Sequence, residues 1–193
     1  MGAINASVVS ASGDEYLVTS RDTDWLARPV ATLSTLPATL FELSPLPEAV
    51  GFMSALPVVA LSADGHSFLL NSTKGFAEFA QAVVGHTPPD VLARLVTHFW
   101  GRGMERVVTS PDELTEPALT ALRLADTEVL PPQLSRSASG WELCFLAAAA
   151  SGGASAKEVP YDLREWTVRG LIEDGVEWQV RPIALRVPGA VRG

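Results

Sequence analysis

Histidine and cysteine, two residue types that often carry out catalysis, are few in this chain, and their spacing forms no recognisable group. No two of the three histidines, His66, His86 and His98, are spaced to share one helical face, an arrangement that zinc sites often use. His98 lies near the carboxyl end of a predicted helix, where a partial positive charge is favourable. The histidine pattern therefore predicts structural roles and no metal site.

Two pairs of acidic residues are the candidates for a divalent-ion site or a shared proton. Asp22 and Asp24 alternate before Trp25, but no third acid or asparagine lies nearby to complete a shell of oxygen ligands. Asp112 and Glu113 are adjacent, and adjacent side chains on a helix point in different directions. We expect the first pair to lie on a solvated surface and the second to begin a helix, and we expect no cofactor.

The nucleophilic and nucleotide-binding motifs are incomplete. Residues 65–69 begin like a nucleophile elbow but lack its final glycine. Residues 101–104 lack the third glycine of a dinucleotide-binding fingerprint. Cys144, the only cysteine, lies in a predicted apolar strand, where a buried and inert thiol is expected. These patterns identify no catalytic residue and leave open whether the protein is an enzyme.

Tryptophan is the one residue type whose number suggests a function, because the chain contains five of them. Tryptophan is enriched at binding surfaces, since it combines a large apolar area with one N–H donor. We expect Trp141, Trp166 and Trp178 to fill the core under a carboxyl-terminal sheet. Trp25 lies among charged residues and Trp100 beside glycines, so these two are predicted to be freer to face a partner.

Composition excludes several classes of protein. The 193 residues carry a net charge of −8, with 47% hydrophobic and 19% charged residues, so the chain can bury a large core and is not disordered. The sequence has no basic stripe for nucleic acid, and an acidic surface is repelled by anionic lipids. It also lacks a secretory signal and an apolar run of about 20 residues, the length that spans a membrane. These features predict a cytoplasmic protein with neither nucleic-acid nor membrane partners.

The amino-terminal third is predicted to contain β-hairpins, with strands at 6–11, 15–20, 57–61 and 67–71. Between Pro29 and Leu61 only Glu42 and Glu48 are charged, and prolines recur throughout. Because proline is rare in central strands, we expect short extended pieces there that leave an apolar patch exposed.

The middle of the chain is predicted to contain three helices, at about 73–84, 88–100 and 117–125. Ser72 or Thr73 is the expected cap of the first helix, and Thr87 is the expected cap of the second. Leu95 is predicted to be among the most buried residues of the second helix.

The carboxyl-terminal third is predicted to be an antiparallel β-meander, with strands at 129–137, 141–149, 159–172 and 176–187. In the last hairpin, apolar alternation favours a three-residue loop, Glu173-Asp174-Gly175, with Gly175 in a left-handed conformation. That register pairs Gly170 with Trp178, whose ring would cover the glycine. Beyond Pro182 the apolar positions change phase, which predicts a β-bulge.

Helices gathered between two β-rich stretches favour an α+β fold over an alternating α/β fold. We expect a single domain over residues 1–193. A shift of charge near residue 130 marks a possible subdivision, where a second part of the sheet would begin.

Two functions from different classes remain open. The first is a non-catalytic module for protein–protein interaction or assembly that binds another protein or itself. Its candidate interface residues are Trp25, Phe41, Leu46, Phe52 and Trp100. The second is a small-molecule-binding domain or enzyme with a pocket between the helical pair and the carboxyl-terminal sheet. Its polar candidates are Glu78, Asp90, His98 and Arg102.

Overall fold

The structure, a computed structural model, describes residues 7–11, 15–19, 24–29, 38–46, 58–62, 66–101, 105–151, 159–171 and 175–191. These residues form three α-helices and two antiparallel sheets, which confirms the α+β prediction. The chain divides into two compact units, Met1–His86 and Thr87–Gly193. The shift of charge near residue 130 lies inside the second unit, and the expectation of a single domain stays a prediction.

The first unit contains a six-stranded antiparallel meander in which each strand pairs with the next along the chain. Its strands are β1 (Ser7–Ala11), β2 (Glu15–Thr19), β3 (Asp24–Pro29), β4 (Ala38–Leu46), β5 (Val58–Ser62) and β6 (Ser67–Leu69). Ala11 pairs with Glu15, and Leu61 pairs with Ser67, which confirms both predicted hairpins. The turn residues themselves lie outside the described residues.

Over the described residues of the stretch 29–61, the prediction that prolines break it into short pieces is wrong. Strand β4 is nine residues long and lies inside the sheet, between β3 and β5. Pro45 pairs with Trp25 of β3, but the described β5 pairs reach only Glu42, so β4 has an edge on that side at Pro45, where a missing N–H is tolerated. Most of the apolar side chains that the structure describes in this stretch are buried, and Ala38 and Val59 are half-buried. The buried ones are Leu40, Phe41, Leu43, Val58 and Ala60.

Helix α1 (Thr73–Val83) begins as its sequence predicts. The side chain of Ser72 accepts a hydrogen bond from the Gly75 N–H at 2.9 Å, which satisfies one unpaired donor of the first turn. Its buried face includes Phe76 and Phe79, and Phe79 packs edge-on against Phe68 of β6 with ring centroids 5.7 Å apart. This contact attaches α1 to the last strand of the meander.

Helix α2 (Pro89–Trp100) begins one residue later than predicted, because the predicted cap, Thr87, would place the first helical residue at 88. The N-cap is Pro88, and no side chain caps this end. Proline within the first turn removes an N–H that would need a partner, so the helix begins without a hydroxyl cap. Thr87 is buried instead. Leu95 is 0% exposed, which confirms its predicted place in the core.

The sheet of the second unit contains β7 (Glu105–Val108), β8 (Gln133–Ser137), β9 (Gly140–Ala150), β10 (Pro160–Leu171) and β11 (Gly175–Pro188). Its order is β11-β10-β9, and β7 and β8 both pair with the remaining edge of β9. The four predicted strands are present. The sequence does not predict strand β7, because its four residues, half of them charged, are too few to show an alternation of apolar and polar side chains. Helix α3 (Glu116–Leu124), also predicted, lies between β7 and β8 in the chain.

Strand β9 is buried on both faces from Leu146 to Ala149, whereas Glu142 and Cys144 on one face are only half-buried. Trp141, Leu143 and Phe145 lie on one face of the strand. Leu146 and Ala148 lie on the other face, in a hydrophobic cluster to which α3 contributes Ala118 and Leu122. This strand is therefore the centre of the second unit.

The register of the β10–β11 hairpin differs from the prediction by two residues. Gly170 pairs with Val176, and Val168 pairs with Trp178, so residues 172–174 connect the strands. A shift of two keeps every side chain on its predicted face, which is why apolar alternation alone fails to distinguish the two registers. Gly175 has a φ of 91°, so its predicted left-handed conformation is confirmed.

The ring that covers Gly170 belongs to Trp141 and not to Trp178. Trp141 lies directly opposite Gly170 on β9, and a Cβ atom at position 170 would lie 2.1 Å from the indole. A tryptophan does cover the glycine, as predicted, but it comes from the other neighbouring strand.

The irregularity predicted after Pro182 is confirmed. The β10–β11 register shifts between Leu163 and Arg164, and shifts again between Tyr161 and Leu163. Pro182 is the last residue of β11 before these shifts, because it still pairs with Arg164. The regular part of β11 therefore ends at Pro182.

Leu95→Ala is expected to lower the free energy of unfolding by about 2–5 kcal/mol, because it removes a fully buried side chain and leaves a cavity. Denaturant titration measures this change. Arg94→Ala, on the exposed side of the same helix, is the control and should change stability by about 0.5 kcal/mol or less. A loss below about 1 kcal/mol for Leu95→Ala would contradict this packing.

Gly170→Ala is expected to destabilise the protein by about 1–3 kcal/mol, because the new methyl group would overlap the buried Trp141 ring. The smaller ring of Trp141→Phe should reduce the cost of Gly170→Ala, as a double-mutant cycle would show. An equal cost in both backgrounds would mean that Trp141 does not cover this glycine.

Candidate interaction surface

The outer edge of β11 is the longest strand edge that the described residues of the second unit leave without a partner strand. Alternate N–H and C=O groups along such an edge point outward and can pair with another chain. Pro182 and the register shifts beyond it interrupt the second half of the strand. Residues 175–181 form the regular remainder, and we call this segment the β11 edge.

The β11 edge carries apolar side chains on one face and polar side chains on the other. Val176, Trp178 and Val180 alternate with a polar set, Glu177, Gln179 and Arg181. Trp178 is 41% exposed, so the prediction that it fills the core is wrong. The alternation of apolar residues predicts correctly on which face of the sheet a side chain lies. It does not predict that the strand lies at an edge, where a side chain has a neighbouring strand on one side only.

Trp178 stacks on Trp100, the last residue of α2. Their ring centroids are 5.1 Å apart and their planes differ by 22°. Such an aromatic pair contributes about 0.5–1.5 kcal/mol beyond the area that it buries. Trp100, predicted as an interface residue, therefore lies beside the β11 edge and fixes the position of its exposed indole.

The polar face of the second sheet carries rows of alternating charge that end on the β11 edge. Arg169 donates a hydrogen bond to Glu142 at 2.6 Å and pairs in register with Glu177. The hydrogen bond to Glu142, with the charges of Glu142 and Glu177, raises the pKa of Arg169. Arg181 forms an ion pair with Glu165 at 2.7 Å. These exposed pairs add little stability, but they set the charge pattern that a partner would meet.

Cys144 lies between these rows and is half-buried. Its sulfur is 3.9 Å from the Thr167 hydroxyl and 4.0 Å from a Glu142 carboxylate oxygen. Burial raises the pKa of the thiol, so the thiol is protonated at neutral pH and is not an activated nucleophile.

A shallow depression of about 210 Å³ lies beside the start of β9. Its walls include Ser135, Ser137, Glu142 and Arg169. The volume is below the roughly 300–1,000 Å³ of most ligand pockets.

Of the five predicted interface residues, the structure places only Trp100 at the β11 edge. Phe41 is 8% exposed and belongs to the core. The backbones of Trp25 and Leu46 lie in paired strands, whereas their side chains and all of Phe52 lie outside the described residues. Interface roles for these residues stay predictions.

The polar residues predicted for a small-molecule pocket do not form a single described group. Asp90 pairs with Arg94 at 3.5 Å. His98 is exposed and lies two turns further along α2, about 12 Å from Asp90 along the helix axis. Glu78 is exposed on α1, and Arg102 lies outside the described residues.

The residues that the structure describes also bear on metal and membrane binding. In this part of the chain no three histidine, cysteine, aspartate or glutamate side chains are grouped so that they could hold a metal ion. Over the same residues no helix is long and apolar enough to cross a membrane.

A partly buried charged cluster holds β11 where its regular edge ends. Arg164 donates hydrogen bonds to Glu105 at 2.8 Å and to Asp162 at 3.1 Å. Asp162 also accepts a hydrogen bond at 3.0 Å from the backbone N–H of Arg186, a residue of β11 with a φ of 54°. Burial alone would raise the pKa of Asp162, but the hydrogen bonds from Arg186 and Arg164 outweigh it and lower the pKa. The role of this cluster is structural.

Asp162 should make the free energy of unfolding depend on pH in the acidic range. Because its pKa is lower in the folded protein, its stabilising contribution is present above its ordinary pKa of 3.8 and is lost as the pH falls through the lower folded value. Asp162→Asn should therefore lower stability at neutral pH and flatten the acid side of the pH profile. Denaturant titrations at several pH values measure both effects. Glu128→Gln, on an exposed loop, is the control, and identical profiles for Asp162→Asn and wild type would contradict this role.

Comparisons with protein-family models, with curated proteins and with solved structures found no match. The β11 edge and its stacked tryptophans are therefore the basis for a functional proposal.

Proposed function

We propose that this chain is a non-catalytic protein-interaction and assembly module that associates with itself through the β11 edge. One observation carries the proposal: a regular strand edge bears a partly exposed tryptophan. Sheet proteins usually protect such edges with prolines, bulges or inward-pointing charges. In β11 these features begin only at Pro182, so residues 175–181 are left open.

The arrangement of Trp178 also supports a contact surface. Tryptophan is the residue type most enriched at the energetic centres of interfaces, and it contributes most when its position is already fixed. The stack on Trp100 holds the Trp178 ring before any partner binds. A partner would therefore cover an ordered apolar surface at a low entropic cost.

The alternative is a small-molecule-binding domain or enzyme, and the depression beside Arg169 is the observation that bears on it. That depression is small and open to solvent. Among the described residues, the Cys144 thiol is protonated, and Asp90 and Arg164 are each engaged in ion pairs. The geometry therefore favours the interaction module.

Self-association should appear as a rise in average mass when the protein is concentrated from about 1 µM to about 1 mM, a range that covers weak to moderate dimers. Light scattering or sedimentation velocity measures it. Trp178→Thr should weaken association, because it removes the exposed ring and keeps a residue that favours strands.

Leu124→Gln is the matched control, because Leu124 is 84% exposed and lies on α3. Its loss should leave association unchanged. A wild-type protein that stays monomeric over the whole range would contradict self-association. If both substitutions weaken self-association equally, then exposed apolar side chains in general, and not the β11 edge, cause the association.

A further inference from the structure

We infer that two copies of this chain pair antiparallel through their β11 edges, about a two-fold axis that passes through Gln179. This inference rests on the proposed self-association and specifies its surface, its register and its partner. The second copy would continue the β11-β10-β9 sheet into a single sheet that spans both chains.

The two faces of the β11 edge limit the possible registers. In a two-fold pair the axis passes either through a residue or between two residues. An axis between Trp178 and Gln179 would place the indole opposite an amide, so apolar and polar faces would be mixed. The axis must therefore pass through a residue, so that Val176, Trp178 and Val180 of both copies share one face.

Charge then selects among the residue-centred registers. An axis at Glu177 would place two carboxylates opposite each other, and an axis at Arg181 would do the same to two guanidinium groups. Like charges at directly opposite positions are destabilising. Axes at Val176, Trp178 or Val180 place no two charged residues of this segment opposite each other, so they gain no charge pair. Only an axis at Gln179 places Glu177 of each copy opposite Arg181 of the other, which gives the interface two pairs of opposite charge.

The same register extends the charge rows that each copy already contains. Within one chain, Glu165 pairs with Arg181, while Glu177 lies opposite Arg169, which bonds to Glu142. Joining Arg181 to Glu177 of the second copy makes one row of five alternating charges across both sheets. The two-fold axis produces this row twice, although each chain has a net charge of −8.

The apolar face and the ends of the strand fit this register as well. Trp178 of each copy would lie opposite Val180 of the other, an aromatic–β-branched pair of the kind that stabilises sheets. Pro182 would lie opposite Val176, at the outer end of the paired segment. Its missing N–H therefore costs little, and the register shifts begin just beyond it.

The occupant of this edge is a second copy because the edge is complementary to itself. A strand that carries Glu177 and Arg181 on one face has no net charge and matches its own reverse. An unrelated extended peptide would use the backbone groups equally well but would not be selected by these charges.

Charge reversal tests the register directly. Glu177→Arg and Arg181→Glu should each weaken self-association about tenfold or more, because each replaces two attractive pairs with two repulsive ones. An equimolar mixture of the two variants should form a heterodimer, since every facing pair is then opposite in charge. Sedimentation velocity with one variant fluorescently labelled measures both the homodimers and the heterodimer.

Glu128→Arg, which makes the same change in charge on an exposed loop, is the control and should associate like wild type. Circular dichroism and thermal melting show that each variant is folded, and recovery in the mixture also requires both partners to be folded. If wild type associates but the single reversals have no effect, or the mixture fails to recover, this register is wrong while self-association stands. If wild type is monomeric throughout, both proposals fail.

Discussion

The burial of β9, along the whole of its aromatic face and on both faces from Leu146 to Ala149, is the constraint on which the second unit depends. Its aromatic face includes Trp141 and Phe145, and its aliphatic face belongs to the cluster that α3 completes. Both of its edges are also occupied, by β10 on one side and by β7 and β8 on the other. A strand so enclosed forms the core of the unit and leaves the unpaired hydrogen-bonding groups to the outer strands.

Strand β11 is the outer strand on the β10 side of the sheet, and its two halves differ in the regularity of their pairing. From Pro182 onward the ladder is irregular, and Asp162 holds the displaced backbone at Arg186. Before Pro182 the strand stays regular, its polar face continues the charge rows of β9 and β10, and its tryptophan stacks on α2. The proposed interface is the part of the sheet that neither irregularity nor burial protects.

Local chemistry predicted much of the fold. The Ser72 cap, the two amino-terminal hairpins and the strands of the second sheet follow from turn residues and hydrophobic periodicity, as does the change of phase after Pro182. The hairpin register was missed because a shift of two residues preserves every face. The Thr87 cap was missed because consecutive prolines already begin α2.

The candidate site was harder to predict, since exposure depends on strand order. Alternation placed Trp178 on the correct face, but only the order β11-β10-β9 shows that this face lies at an edge. Trp100 was identified from its glycine neighbours, whereas its stack on Trp178 joins residues far apart in the chain. No local pattern encodes such a pairing, because its partner is selected by the packing of α2 on the sheet.

Hydrogen exchange of backbone amides at several protein concentrations tests the central claim most directly. Pairing of two β11 edges would bury outward-pointing amides between residues 176 and 181, and would leave the interior amides of β9 as they are. The account predicts that protection of these β11 amides rises with concentration in parallel with dimer formation, while β9 does not change. Dimers that form without any added protection in β11 would contradict it.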